Sequence, residues 1–171
     1  MKLELGQLPT PLGDARFARS GARVFALAFA ECWAPVGRAL ERRLGPIEWT
    51  DAGEVGELGT RLDAYFAGDL STLDGVEIEL AGTAFQRRVW SALREIPAGE
   101  TIAYGALAHR LGAPDAMRAV GAANGANPLW LLVPCHRAIA ADGSLTGYAG
   151  GIERKRWLLA HESGAARRSA R

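Results

Sequence analysis

Residues 104–124 read Tyr104-Gly105-Ala106-Leu107-Ala108-His109-Arg110-Leu111-Gly112, then Ala113-Pro114-Asp115, then Ala116-Met117-Arg118-Ala119-Val120-Gly121-Ala122-Ala123-Asn124. Tyr104, Leu107, Ala108 and Leu111 recur at i, i+3, i+4 and i+7, the apolar stripe of an amphipathic helix that Gly112 closes. Ala116, Ala119, Val120 and Ala123 follow a similar spacing, which predicts a second helix over 116–124 with these four residues inward. Two short helices joined by a tight, glycine-containing turn are the pattern of a helix-turn-helix. Helical pairs in ordinary cores share the pattern, so at this point DNA binding and plain packing are both open.

Outward from this pair the signals stay sharp. Upstream, Thr83 with Gln86 three residues on is a capping box, and Phe85, Val89, Leu93 and Ile96 continue at helical spacing until Pro97-Ala98-Gly99. Downstream, Leu129–Val133 is an unbroken apolar run of strand length, expected to be a fully buried strand. It leads directly into Pro134-Cys135-His136-Arg137. A glycine-rich loop (Gly143, Gly147, Gly150, Gly151) and a final helix over 152–161 follow. The tail 163–171 has no bulky apolar side chain and carries Arg167, Arg168 and Arg171, so it is expected to be disordered, with weak phosphate contact as the alternative.

The amino-terminal part reads differently. The segments 14–19 and 22–29 flank Ser20-Gly21, a hairpin signal, and Phe25, Leu27 and Phe29 alternate as in a half-buried strand. Helices are expected over 34–44, ending at Gly45-Pro46, and over 60–66, stopped by Gly68, with a short strand over 76–80. The fold class is therefore α/β: a small amino-terminal α/β lobe with a short antiparallel sheet over 1–75, an α-rich domain over 76–162, and a basic tail over 163–171.

Composition narrows the function classes. The chain has 171 residues, 49% of them hydrophobic, which suits a packed core and argues against a mainly disordered chain. The formal net charge of +1 conceals a division. Residues 1–80 carry 8 Lys/Arg against 13 Asp/Glu, whereas residues 81–171 carry 12 against 6, a net of +6. A basic carboxy-terminal half points to an anionic partner there, or to two ordinary solvated surfaces. No apolar run approaches the roughly 18 residues of a membrane span, and Met1-Lys2-Leu3-Glu4 does not open a secretion signal, so a cytoplasmic, membrane-free protein is expected. Two cysteines, Cys32 and Cys135, are too few for a disulfide framework, and with three histidines they make no zinc site.

Cys135 carries the candidate chemistry. A cysteine with a pKa of about 8.5 needs a base or a positive field to become a thiolate nucleophile at neutral pH. His136 and Arg137 adjoin it, although neighbouring side chains of an extended segment point apart and a turn after Pro134 is needed to bring them together. A buried, inert thiol is the competing description. Cys32, His109 and His161 read as structural or solvated, and Lys155 and Arg156 as a solvated helix face.

The run Leu132-Val133-Pro134-Cys135-His136-Arg137 resembles the active-site signature of the methylated-DNA–protein-cysteine methyltransferases, the O6-alkylguanine repair proteins. Gly82-Thr83-Ala84-Phe85-Gln86, Val89-Trp90, Ile96-Pro97-Ala98-Gly99-Glu100-Thr101, Tyr104-Gly105, Arg118-Ala119-Val120-Gly121, Asn124-Gly125, Asn127-Pro128, Gly147-Tyr148-Ala149-Gly150-Gly151 and Lys155-Arg156-Trp157-Leu158-Leu159 are similar to that family in order and spacing. The likeness spans about residues 60–162 and extends weakly to the amino-terminal hairpin.

The resemblance implies a winged helix-turn-helix domain that carries the active site and a protein consumed by its single reaction. Cys135 would accept the alkyl group, His136 would act as base through a water, Glu162 would orient His136, and Asn127 would tie the helix-turn-helix to the active-site segment. Tyr104 and the Ala149 N–H would donate to the base, and carbonyls near Cys135 and Ala138 would read its exocyclic amine. Val133, Pro134, Tyr148 and Gly150 would complete the pocket. Arg118 would fill the gap left by a flipped base, with Ala119, Gly121, Ala123 and Arg137 also at the DNA. The implied partner is double-stranded DNA containing O6-alkylguanine or O4-alkylthymine, bound in the minor groove by a monomer that needs no metal or cofactor. Two departures stand out: Ala138 replaces the usual valine, and residues 31–49 match poorly. A lesion-binding relative without transfer activity is disfavoured by Cys135, a Cys–His hydrolase would turn over, and a sequence-specific regulator would need polar side chains where Ala119, Ala122 and Ala123 stand.

Overall fold

The computed structural model describes residues 1–169, with side chains described through Ala165. The chain divides into two compact units, Met1–Ala81 with Pro128–Leu132, and Gly82–Asn127 with Val133–Arg171. The expected boundary at 75/76 shifts because residues 77–79 pair with the first unit's sheet: the Val24 N–H donates to the Glu77 carbonyl and the Glu79 N–H to the Val24 carbonyl, both at 2.9 Å. The strand expected over 76–80 reduces to an isolated bridge between Val24 and Ile78.

In the first unit, β1 (Lys2–Leu8), β2 (Ala15–Ser20), β3 (Arg23–Phe29) and β4 (Glu48–Asp51) form one sheet in the order β3-β2-β1-β4. The β1–β2 and β2–β3 pairs are antiparallel and β4 runs parallel to β1. Ser20 pairs with Arg23, so the hairpin turn is Gly21-Ala22, with Gly21 at φ +59°. The alternating Phe25, Leu27 and Phe29 are buried, and so are the intervening Val24, Ala26 and Ala28, so β3 is covered on both faces. Helices α1 (Trp33–Leu44) and α2 (Glu57–Ala67) stop at Gly45 and Gly68, both at positive φ. No helix among the described residues is long and apolar enough to cross a membrane.

The apolar run 129–133 is buried as expected but is not a strand. It makes one bridge, Leu27 to Leu129, and then bends, with Leu131 at φ +67° and the Leu132 N–H donating to the Trp130 carbonyl. An apolar run reports burial and cannot report backbone conformation. Pro128–Leu132 joins the first unit through Leu27 N–H to Pro128 O and Trp130 N–H to Leu27 O, both 2.9 Å, and through the edge-to-face pair Phe29–Trp130 at 5.3 Å.

The second unit is helical. Its elements are α3 (Ala84–Arg94), β5 (Ile102–Ala103), α4 (Tyr104–Arg110), α5 (Met117–Gly125), β6 (Ala138–Ile139) and α6 (Ile152–Ser169). The Thr83–Gln86 capping box is formed in both directions. Gly82 precedes it because a Cβ there would lie 2.4 Å from the Trp90 ring. Trp90 in turn donates its indole N–H to the Ala123 carbonyl at 2.8 Å and fastens α3 to α5. Gly112, at φ +69°, makes the turn out of α4. Strands β5 and β6 form a two-residue parallel ladder. Helix α6 runs to Ser169, so the backbone over 163–169 is helical where disorder is expected from composition. Ala170 and Arg171, and the side chains of Arg167 and Arg168, lie outside the described residues.

Candidate active site

The candidate residues converge within the second unit. Asn127 follows α5, is buried, and donates its side-chain amide to the Val133 carbonyl at 2.8 Å. It also hydrogen-bonds the Cys135 sulfur. After Pro134 the chain forms a single 3-10 turn, Cys135–Arg137, in place of the extended geometry that would send adjacent side chains apart.

His136 and Glu162 are both fully buried, with His136 Nε2 2.8 Å from Glu162 Oε1. Arg137 grips the same carboxylate with two nitrogens, Nε to Oε2 at 2.9 Å and Nη2 to Oε1 at 2.8 Å, while Nη1 donates to the Ile96 carbonyl at 2.5 Å. Burial alone would push the Glu162 carboxyl up, but the charges and hydrogen bonds of His136 and Arg137 hold it well below the usual carboxylate range. Glu162 is therefore an ionised acceptor. Nε2 must carry the imidazole hydrogen, which leaves the lone pair of the neutral ring on Nδ1. Nδ1 is buried and makes no hydrogen bond to protein among the described residues.

Arg137 is thus corrected from a DNA-binding candidate to a clamp: it is 8% exposed and its guanidinium is committed inside the protein. Cys135 is 3% exposed, and burial pushes its thiol up to about 11 against the opposing pull of Asn127 and Lys155. Burial thus favours the protonated form of the Cys135 thiol. Tyr104, the first residue of α4, is half-buried; burial, then the nearby Cys135, raises its hydroxyl. Val133, Pro134, Ala138, Tyr148 and Gly150 are buried, and Ala149 is exposed.

Helix α5 separates packing from exposure. Val120, Ala123 and Asn124 face inward, whereas Arg118, Ala119, Ala122, Gly125 and Ala126 are exposed. Ala119 is therefore not an inward residue. Ala123 leaves the set of DNA contacts, being 3% exposed with its carbonyl held by Trp90. At Gly121 an added Cβ would meet nothing within 4 Å. Lys155, read as part of a solvated face, is fully buried and donates from Nζ to the Ala138 carbonyl at 2.6 Å and the Thr146 carbonyl at 3.3 Å. The signal that finds it is spacing: Lys155, Leu158, Glu162 and Ala165 form one buried stripe on α6. Among the described residues no three His, Cys, Asp or Glu are grouped to hold a metal ion.

A family model of the DNA-binding domain of 6-O-methylguanine DNA methyltransferase matches residues 84–164. The Salmonella typhimurium methylated-DNA–protein-cysteine methyltransferase is 56% identical over 115 residues, covering 67% of each chain. Its Mycobacterium tuberculosis counterpart is 54% identical over 132 residues, covering 75% of this chain and 79% of its own. The structure is similar to that of Mycobacterium tuberculosis OGT in complex with DNA, with a TM-score of 0.79 at 41% identity over 96% of this chain and 94% of that one. An O6-methylguanine-DNA methyltransferase from Pyrococcus kodakaraensis superposes with a TM-score of 0.73 at 27% identity, covering 94% and 98%.

Proposed function

The chain belongs to the methylated-DNA–protein-cysteine methyltransferase family, and from that premise we propose that Cys135 accepts, once and irreversibly, the alkyl carbon of O6-alkylguanine in duplex DNA. DNA is the partner and alkyl transfer is the repair chemistry. In the proposed step Sγ attacks the alkyl carbon opposite the C–O6 bond. The S–C bond forms as C–O6 breaks, and the electron pair stays on the departing guanine. The thiol proton passes to His136 Nδ1, directly or through one water, and Glu162 stabilises the resulting imidazolium. The guanine anion is met by the Tyr104 hydroxyl and the Ala149 N–H, while the carbonyls of Cys135 and Ala138 accept from its exocyclic amine. Asn127 keeps the sulfur in register. O4-alkylthymine is a second substrate of the same step, and the protein works as a cytoplasmic monomer.

The observation that carries this reading is the buried Glu162–His136 pair, which turns a lone-pair nitrogen away from the carboxylate on the residue next to a buried thiol. The test is the intact mass of the protein after incubation with duplex DNA containing O6-methylguanine. One methyl is expected, stoichiometric with protein and mapping to the peptide that holds Cys135. Repeated turnover would favour the Cys–His hydrolase, and binding without a mass change the lesion-binding relative.

A thiol this buried cannot reach a stacked base, so the target must swing out, at a cost of a few kcal/mol in lost stacking and pairing. Arg118, exposed near the start of α5 among small residues, is the side chain proposed to enter the stack. Arg118→Ala is expected to slow repair of duplex DNA about tenfold or more while leaving reaction with free O6-methylguanine base within about twofold, because only the duplex reaction includes the flipping cost. Equal losses on both substrates would make Arg118 structural.

A further inference from the structure

Arg87 and Arg88 lie on α3 and Arg110 ends α4; with Ser91, Glu95 and Leu111 they line an open groove of about 530 Å³ within the second unit. All three arginines are exposed. Two of the guanidiniums are fastened to backbone: Arg87 Nη1 donates to the Gly82 carbonyl at 2.9 Å, and Arg88 Nη2 to the Leu111 carbonyl at 2.5 Å. Each bond leaves most of that guanidinium's N–H donors uncommitted. Elsewhere arginines are ion-paired, Arg19 with Glu4, Arg23 with Glu77, Arg61 with Glu57, Arg137 with Glu162 and Arg156 with Glu153. Among the described residues none of the three groove arginines forms an ion pair, although Glu95 lines the same groove.

Like charges gathered in one groove repel each other and raise the local concentration of anions. A guanidinium presents its donors in a planar fork that matches a phosphate, and a carbonyl holding one nitrogen limits the freedom lost when the others bind. Position selects which anion. Arg110 belongs to the first helix of the helical pair, and Leu111, whose carbonyl holds Arg88, begins the turn that leads to α5. In helix-turn-helix proteins the second helix enters a groove of the duplex while the first crosses the phosphate backbone. The exposed face of α5 offers Ala119, Ala122 and Gly125, which carry no charge, and Arg118 is assigned above to the base stack. Cations for the phosphates must therefore come from neighbouring elements. Resting on the reading of duplex DNA as the substrate, we propose that the Arg87–Arg88–Arg110 groove is a phosphate-binding surface that takes the DNA backbone flanking the segment engaged by α5. It supplies affinity that is independent of sequence and takes no part in the transfer itself.

The test is binding of undamaged duplex DNA to the full chain, followed by fluorescence anisotropy against salt concentration. Each cation that neutralises a phosphate adds about 0.9 to the steepness of log K against log salt. Arg88→Gln with Arg110→Gln is therefore expected to flatten the slope by about 2, and Arg110→Gln alone by about 1. The corresponding pair of lysine substitutions should keep the wild-type slope, because an ammonium still neutralises a phosphate as a point charge. Arg42→Gln, in the last turn of α1, removes an equal charge from the first unit and should leave the slope unmoved. A slope unchanged in the Gln variants, or flattened as much by Arg42→Gln, would overturn the proposal and leave the three arginines an ordinary solvated face. If loss of the Arg88–Leu111 bond unfolds the double variant, Arg110→Gln still decides, since among the described residues the Arg110 side chain holds no carbonyl. Thermal stabilisation of the wild type, but not of Arg110→Gln, by inorganic phosphate, with an unchanged DNA slope, would assign the groove to a free anion and also overturn it. Methyl transfer from damaged duplex is read separately by intact mass: a wild type that takes no methyl sinks the alkyl-transfer reading, and the slopes still decide the groove.

Discussion

Arg137→Ala is expected to lower the free energy of unfolding by about 3–5 kcal/mol, the scale on which removing one partner of a buried ion pair destabilises a protein. The Glu162 carboxylate is fully buried, and three of its hydrogen bonds come from Arg137 and His136. Taking the guanidinium away removes a positive charge and two hydrogen bonds from that carboxylate, and takes from the Ile96 carbonyl its 2.5 Å donor. The pH dependence follows from the direction of the Glu162 shift. Its folded-state value lies far below its unfolded one, so the stability it contributes is full above the ordinary carboxylate range and is lost as pH falls through the lower, folded value. Without Arg137 that acid loss should begin at higher pH. Urea unfolding at neutral and acidic pH measures both effects. Arg118→Ala, an exposed change, should stay within about 0.5 kcal/mol of wild type in the same experiment. A stable Arg137→Ala protein with weakened DNA binding would return Arg137 to the DNA surface.

The contrast between these two arginines shows where sequence reasoning succeeds and where it stops. Local signals reported local structure: the Thr83–Gln86 box starts α3, Gly45 and Gly68 end α1 and α2, and the 104–124 pattern is a helical pair. In β1 the alternation Lys2-Leu3-Glu4-Leu5 is cut short at Gly6, and its parallel partner β4 has only four residues, so neither stands out as a strand in the sequence. Burial of charge was the other blind spot. Arg137 and Lys155 look like surface residues by type, and only partners distant in the chain (Glu162 for one, Ala138 for the other) make their burial affordable. The stripe Lys155–Leu158–Glu162 on α6 held the clue for Lys155, but a helix face that includes Lys and Glu does not read as apolar. Cys135, His136 and Glu162 were marked as candidates by family resemblance, and the His136–Glu162 contact is in the structure, whereas the protonation of the thiol depends on desolvation, which a sequence does not display.

His136→Gln is expected to reduce single-turnover methyl transfer at pH 7 by about 10²–10⁴, the range in which a positioned general base operates. Glutamine can still hydrogen-bond Glu162 but cannot accept the thiol proton. Burial pushes the Cys135 thiol up to about 11 and so disfavours the thiolate at neutral pH. The base proposed at His136 works against the burden that burial imposes. In the single-use reaction proposed above that burden has a use, since a protonated and enclosed thiol resists stray oxidants and alkylating agents in the absence of a damaged base. The variant should consequently recover about tenfold in rate for each pH unit as pH rises toward 11, while the wild type, supplied with its own base, responds less steeply. Circular dichroism across the same range separates recovery of chemistry from change of fold. If the His136→Gln and wild-type curves run parallel at every pH, His136 only shapes the pocket, and the proton leaves the sulfur by another route.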